Sequence, residues 1–315
     1  MKVLMATDGS VNADAAIDVM IYRPWPADTR VKVVTVADKS PDLVSKIFPF
    51  LGESAKKVEQ AWLESCQAVV DKAVAKLSEK FGADKVEGEL IEGDPKEAII
   101  EAAQTWLADL IVVGAYGTRS AADHLIGSVT DVVVTNSPCA VSVLRGVSPG
   151  TAIKEMENKQ PLEEDKYLLP IDDTPHSRAA VESVLKRPWP EEAYFKVISI
   201  VQAVDVGPFK NIPLVNPKQL SEAASKDLEE KRAAAGALVD KTVREFKDKF
   251  PSATVSGEVI EGHPREAILQ VASDWPADLV ICGSRRIKGL ANEIRMGAVS
   301  KAILFHSPCS VEIVR

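Results

Sequence analysis

The clearest chemical signal in this 315-residue chain is a spacing of glycines and hydroxyl residues. Gly114 and Gly117 close an apolar run, and Gly127-Ser128-Val129-Thr130 follows after nine further residues. Glycine lacks a Cβ, so the backbone there can approach a ligand closely and adopt positive φ. Gly127-Ser128 stands where a helix opens, and the first amides of a helix are unpaired and its dipole positive. The pattern G-x2-G-x9-G-S therefore suits an anion, with the Ser128 and Thr130 hydroxyls adding hydrogen bonds. Arg119 and His124 lie in the same loop, either as phosphate contacts or as solvated surface residues. A second cluster, Ala6-Thr7-Asp8-Gly9-Ser10, closes the first apolar run. Asp8 either serves a ribose hydroxyl or adenine edge, or caps the turn that follows, as Asp in Asp-Gly-Ser commonly does.

These clusters meet only if the elements between them allow it. Residues 2–7, 31–37, 86–91, 109–114 and 139–145 are short Val/Ile/Leu-rich runs, as expected of buried parallel strands. Helical spacing fills roughly 12–22, 54–81, 95–106 and 127–136. The alternation predicts βαβ units in a doubly wound parallel sheet, an α/β fold that binds ligands beyond the carboxyl ends of its strands.

The same order then recurs. Arg23-Pro24-Trp25-Pro26 returns as Arg187-Pro188-Trp189-Pro190, an offset of 164. Ile91-Glu92-Gly93-Asp94-Pro95 returns as Ile260-Glu261-Gly262-His263-Pro264, an offset of 169, and Ser137-Pro138-Cys139 as Ser307-Pro308-Cys309, an offset of 170. Ordered anchors with slowly growing offsets establish an internal duplication. The second copy has strands near 166–171, 195–202, 254–260, 278–283 and 309–315. The expected domains are 1–146 and 166–315, with residues 147–165 as linker. The four recurring tryptophans, Trp25, Trp106, Trp189 and Trp275, read as core packing.

Copy two departs from copy one at the glycine loop. Gly117 becomes Arg286, Ser128 becomes Ala298, Gly9 becomes Asp173, and the loop is one residue longer. These changes argue against ordinary triphosphate binding in copy two. Arg285, Arg286, Lys288 and Arg295 either hold some other anion or form a basic surface patch.

Apolar residues make up 46% and charged residues 27%, the balance of a globular chain. A net charge of −8 argues against a broad nucleic-acid surface. No run has the length of a membrane span, and the first apolar run ends too soon for a signal peptide, so a cytoplasmic location is expected. Cys66, Cys139, Cys282 and Cys309 form no C-x-x-C pair and read as reduced structural residues. There is no P-loop, no G-x-G-x-x-G fingerprint and no G-x-S-x-G elbow, and the four histidines are scattered.

With the Asp8-Gly9-Ser10 strand end, the Gly93-Asp94-Pro95 turn, the Ala108–Gly114 strand, the glycine loop and Ser137-Pro138-Cys139 in view, the chain resembles the universal stress protein family in its tandem form. The resemblance implies two five-stranded parallel-sheet domains of the adenine-nucleotide α-hydrolase-like kind. It also implies association through the last strand, so that Ala140–Arg145 and Ser310–Arg315 would pair as an intramolecular pseudo-dimer, or in a homodimer. Carried over by position, adenine and ribose contacts fall at Ala6, Thr7, Asp8, Val36, Val113 and Gly114. Phosphate contacts fall at Gly117, Gly127, Ser128, Val129 and Thr130. The family often has Pro-Val before the aspartate, where this chain has Ala6-Thr7. The implied function is a stress-response regulatory protein holding ATP, with or without Mg2+, in copy one, with copy two as its degenerate partner. The alternatives are a slow ATPase or phosphotransferase using the same pocket with a divalent ion, and an interaction module without ligand.

Overall fold

The computed structural model describes residues 1–38, 55–117, 126–145, 165–207, 216–288 and 294–315. Contacts divide the chain into two units: Met1–Pro161 with Arg286–Met296 and Arg315, and Leu162–Arg285 with Gly297–Val314. No helix among the described residues is long and apolar enough to cross a membrane.

The first unit runs β1 (Lys2–Ala6), α1 (Val11–Tyr22), β2 (Arg30–Asp38), α2 (Ala55–Phe81), β3 (Val86–Gly93), α3 (Pro95–Trp106), β4 (Leu110–Gly114), α4 (Ser128–Asn136) and β5 (Ala140–Leu144). Its strands are parallel in the order β3-β2-β1-β4-β5. The direction of winding reverses at β1, so a crevice opens past the carboxyl ends of β1 and β4. Four of the five β1 residues are buried, as are Leu110–Val113 of β4, because helices cover both faces of the sheet. Val3, Met5, Ile17, Met20, Leu77, Leu110 and Val112 share one core. Side chains set the helix starts: Ser10 accepts from the Ala13 N–H at α1, and Asp94 from the Lys96 N–H at α3.

The second unit repeats this with β6 (Lys166–Pro170), α5 (Pro175–Leu185), β7 (Tyr194–Val201), α6 (Pro217–Lys249), β8 (Thr254–Glu261), α7 (Pro264–Asp274) and β9 (Leu279–Gly283). It ends in α8 (Ala298–His306) and β12 (Ser310–Val314), with strand order β12-β9-β6-β7-β8. Its core is more aromatic: Phe195 lies 5.3 Å from Tyr167 and 5.2 Å from Phe246, centroid to centroid. The segment between Gly283 and Gly297 differs from the simple copy expected. Arg286–Lys288 (β10) and Ile294–Met296 (β11) form an antiparallel hairpin.

The tryptophans are half-buried, and Trp25 and Trp189 pack against the cores of their units, as expected. Trp25 and Trp189 donate their indole N–H groups to Met20 O and Val184 O, while Trp106 and Trp275 lie under Lys2 and Lys196. The amphipathic indole suits such a boundary. The four cysteines are not bridged by disulfides, and burial pushes the Cys66 thiol pKa up. The linker 147–165 lies outside the described residues except Asp165.

The recurring Arg-Pro-Trp-Pro motif sets an arginine against each final strand. Arg23 reaches Ser142 at 3.5 Å, whereas Arg187 grips Glu312 with two bonds of 2.5 and 3.0 Å. Glu312 is 1% exposed and Arg187 11%, so removing one partner strands a buried charge. Glu312→Ala is therefore expected to cost about 3–5 kcal/mol in urea unfolding. Ser142→Ala in the matching position should cost under about 1.5 kcal/mol.

Candidate functional site

In the first unit the expected residues converge on the crevice at the β1/β4 switch. Ala6, Thr7 and Val113 are buried at the strand ends. The Thr7 N–H donates to Val34 O at 2.9 Å, the last recorded bond from β1 to β2. Backbone groups alternate sides along a parallel strand, so Val36 turns its N–H and C=O the same way as Val34. Beyond the end of β1 that edge faces the crevice, where a planar ligand can use it.

Asp8 serves the turn with one oxygen: Oδ1 accepts from the Ser10 N–H at 3.0 Å. Ser10, not Asp8, caps α1. The other oxygen, Oδ2, lies 2.7 Å from where a Cβ on Gly117 would stand. A side chain at position 117 would therefore displace the Asp8 carboxylate from its place over the loop. Tyr116, between the two glycines, accepts from Arg145 at 2.6 Å. The sequence reading assigned no role to that pair. Arg119 and His124 lie outside the described residues.

The start of α4 presents unpaired amides. Gly127 is its N-cap and has no side chain to bond the first amides, unlike Ser10 or Asp94. The Gly127 N–H donates to Ala115 O at 2.9 Å, and the first helical bond is Asp131 N–H to Gly127 O. The amides of Ser128, Val129 and Thr130 thus form the uncapped first turn, at the positive end of the helix dipole. The Ser128 side chain is exposed. Thr130 is buried and donates its hydroxyl to Gly114 O at 2.9 Å, so its proton fixes the helix to the end of β4. Asp94, named for the enzymatic alternative, is occupied as the cap of α3. Among the described residues no three His, Cys, Asp or Glu side chains are grouped to hold a metal ion.

The second unit contains a cavity of about 280 Å³ at the same place in its own fold. Pro170, Ile171 and Asp172 line it from β6 and the turn after it, Ile200 from β7, and Cys282 and Gly283 from β9. Gly297, Ala298, Val299 and Ser300 close it at the start of α8. Carried back through the repeat offsets, these are ten of the eleven positions named in copy one; the eleventh, Gly117, corresponds to Arg286 in the hairpin. Ser300 donates to Gly283 O at 3.1 Å, as Thr130 does to Gly114. Asp172 Oδ1 accepts from both the N–H and the hydroxyl of Thr174. Of the basic residues noted in copy two, Arg285 lines the cavity, while Arg286 and Lys288 lie in β10 and Arg295 in β11. The repeat offsets in the sequence map these lining residues, although the altered loop alone does not reveal the cavity.

The profile of the Universal stress protein family matches residues 1–145 and again 165–315. The chain belongs to the universal stress protein family. A universal stress protein of Thermus aquaticus is 32% identical over 143 residues, covering 45% of this chain and 97% of that one. A universal stress protein of Mycobacterium bovis is 24% identical over 258 residues, covering 78% of this chain and 76% of its own. Among solved structures, a universal stress protein from Archaeoglobus fulgidus matches 100% of this chain and 98% of its own at 18% identity, with a TM-score of 0.55. That likeness concerns the fold of this universal stress protein.

The two strand-end glycines differ in how tightly helices press on them. A Cβ on Gly283 would stand 2.1 Å from His176 O, whereas one on Gly114 would meet nothing closer than 3.4 Å. Gly283→Ala is expected to cost about 1–3 kcal/mol in denaturant unfolding, with Gly114→Ala costing less. Equal losses would contradict the geometry.

Proposed function

We propose that this universal stress protein is a regulatory nucleotide-binding protein that holds ATP in its first unit. The observation that carries the reading is the uncapped first turn of α4, facing strand ends where Asp8 packs against Gly117. In this reading Ser128, Val129 and Thr130 present amides to the phosphates, with Gly117 and Gly127 permitting close approach. Ala6, Thr7, Asp8, Val36, Val113 and Gly114 enclose the adenine and ribose. Mg2+ would enter coordinated by the phosphates, since no grouped carboxylates stand ready among the described residues. The second unit serves as the built-in partner and does not take the triphosphate. Asp8 serves the turn after β1 and Asp94 caps α3, and regulation rather than turnover is the function inferred.

The test uses a substitution that leaves the fold intact. Ser128→Asp puts a carboxylate in the first turn of α4, where the helix dipole favours it, so stability should hold or rise slightly. The same carboxylate repels phosphate, and ATP affinity measured by calorimetry should fall at least tenfold, about 1.4 kcal/mol. The purified wild-type chain, heated and analysed for released nucleotide, should yield about one ATP per chain. No released nucleotide together with no ATP binding on titration would overturn the proposal.

A further inference from the structure

We propose that Arg315 is a positioning residue for the first turn of α4, with Arg145 as its counterpart on the glycine loop. This role rests on the reading of that turn as a phosphate site. It makes the crevice of the first unit depend on a residue that copy one does not encode.

Two equivalent arginines serve one unit. Arg145 follows β5 and Arg315 follows β12, at the repeat offset of 170 (315 − 145). Contacts place both in the first unit, Arg315 together with the hairpin Arg286–Met296. They hold different parts of it. Arg145 donates to the Tyr116 hydroxyl at 2.6 Å, and its guanidinium carbon lies 5.7 Å from the centre of that ring. Tyr116 stands between Gly114 and Gly117, so Arg145 fixes the glycine loop. Arg315 donates through Nη2 to Val134 O, and to Thr135 O at 3.3 Å. Both carbonyls belong to the last turn of α4.

The Ser137-Pro138-Cys139 motif explains why those two carbonyls need an outside donor. The last carbonyls of a helix have no helical partner. Four residues beyond Val134 stands Pro138, which has no N–H to give. Four beyond Thr135 stands Cys139, whose N–H donates to Ser137 Oγ at 3.2 Å. The neighbouring carbonyls are served locally, Val133 O by the Ser137 N–H and Val132 O by the Asn136 side chain. The last turn of α4 contains no basic residue of its own. Arg315 supplies the missing cation at the negative end of the helix dipole, with a planar fork that spans two acceptors.

The opposite end of α4 has no such anchor on its amides. Gly127 offers no side-chain cap, and a helix of nine residues is too short to be stable by itself. Its aim is therefore set by what holds it elsewhere. Thr130 ties the first turn to Gly114, and Arg315 ties the last turn. The strand β11 runs beside the helix, with Met296 buried. Held in this way, the amides of Ser128, Val129 and Thr130 keep facing the crevice, and less ordering is left for a phosphate to impose. Coupling of this kind is reciprocal, so a bound phosphate strengthens the grip of Arg315 in turn.

Full-length Arg315→Met and Arg315→Lys chains test this. The position is half-buried and follows the last strand, so the global unfolding midpoint should move little. In the ligand-free protein, hydrogen exchange of the α4 amides Asp131–Asn136 should be at least about fivefold faster in Arg315→Met, with α3 unchanged. ATP affinity by calorimetry should fall at least about fivefold in the same chain. Arg315→Lys, which keeps the charge, should restore most of both. ATP added to the wild-type chain should slow exchange of the β11 amides Ile294–Met296. Unchanged α4 exchange in Arg315→Met, or unchanged ATP affinity despite faster exchange, would overturn the proposal. Equal losses in the Lys and Met chains would overturn it as well, because the cation would then have no part. A wild-type chain that binds no ATP would count against the first-unit reading instead, and α4 exchange would still decide whether Arg315 holds the helix.

Discussion

A single hydroxyl hydrogen bond decides where the ligand-facing end of each unit lies. Thr130 donates to the carbonyl of Gly114, and Ser300 donates to that of Gly283. Each bond joins the first turn of a helix to the last residue of a central strand. With it in place, the helix's positive end cannot drift from the crevice that the strand order creates. The rest of each crevice, from the cap glycine to the aspartate after the first strand, is organised around that fixed corner.

The fold was legible in the sequence because buried parallel strands have no solvent face, so β1, β4, β6 and β9 read as continuous apolar runs. Helix limits were legible where side chains mark them, as Asp94-Pro95 does for α3. The hairpin of β10 and β11 was not, since three-residue strands give no periodicity to detect. Nor was the allocation of hydroxyl protons. Thr130 looked like a phosphate donor by type and spacing, and only geometry shows its proton spent on Gly114. The cavity of the second unit was hidden for another reason. Arg286 draws attention to one altered position, while the other ten mapped positions all line the cavity.

The duplication also diverged in its cores. Copy one closes its last strand with Ser142 under Arg23, a weak contact at 3.5 Å. Copy two has Glu312 there, which requires its arginine, and Arg187 also lies 5.1 Å from the ring centre of Trp189. Buried pairs of this kind specify one arrangement strongly while adding little net stability over an apolar pair. Its core is also the more aromatic, gathered around Phe195.

The glycine caps of α4 and α8 have a consequence for motion. A helix whose first turn lacks a side-chain acceptor opens from that end more readily than one capped by serine or aspartate. An anion seated on those amides supplies the missing acceptor and closes the fraying end. An anion bound there would therefore be read as slower exchange of the first-turn amides with solvent, with no large change of shape required.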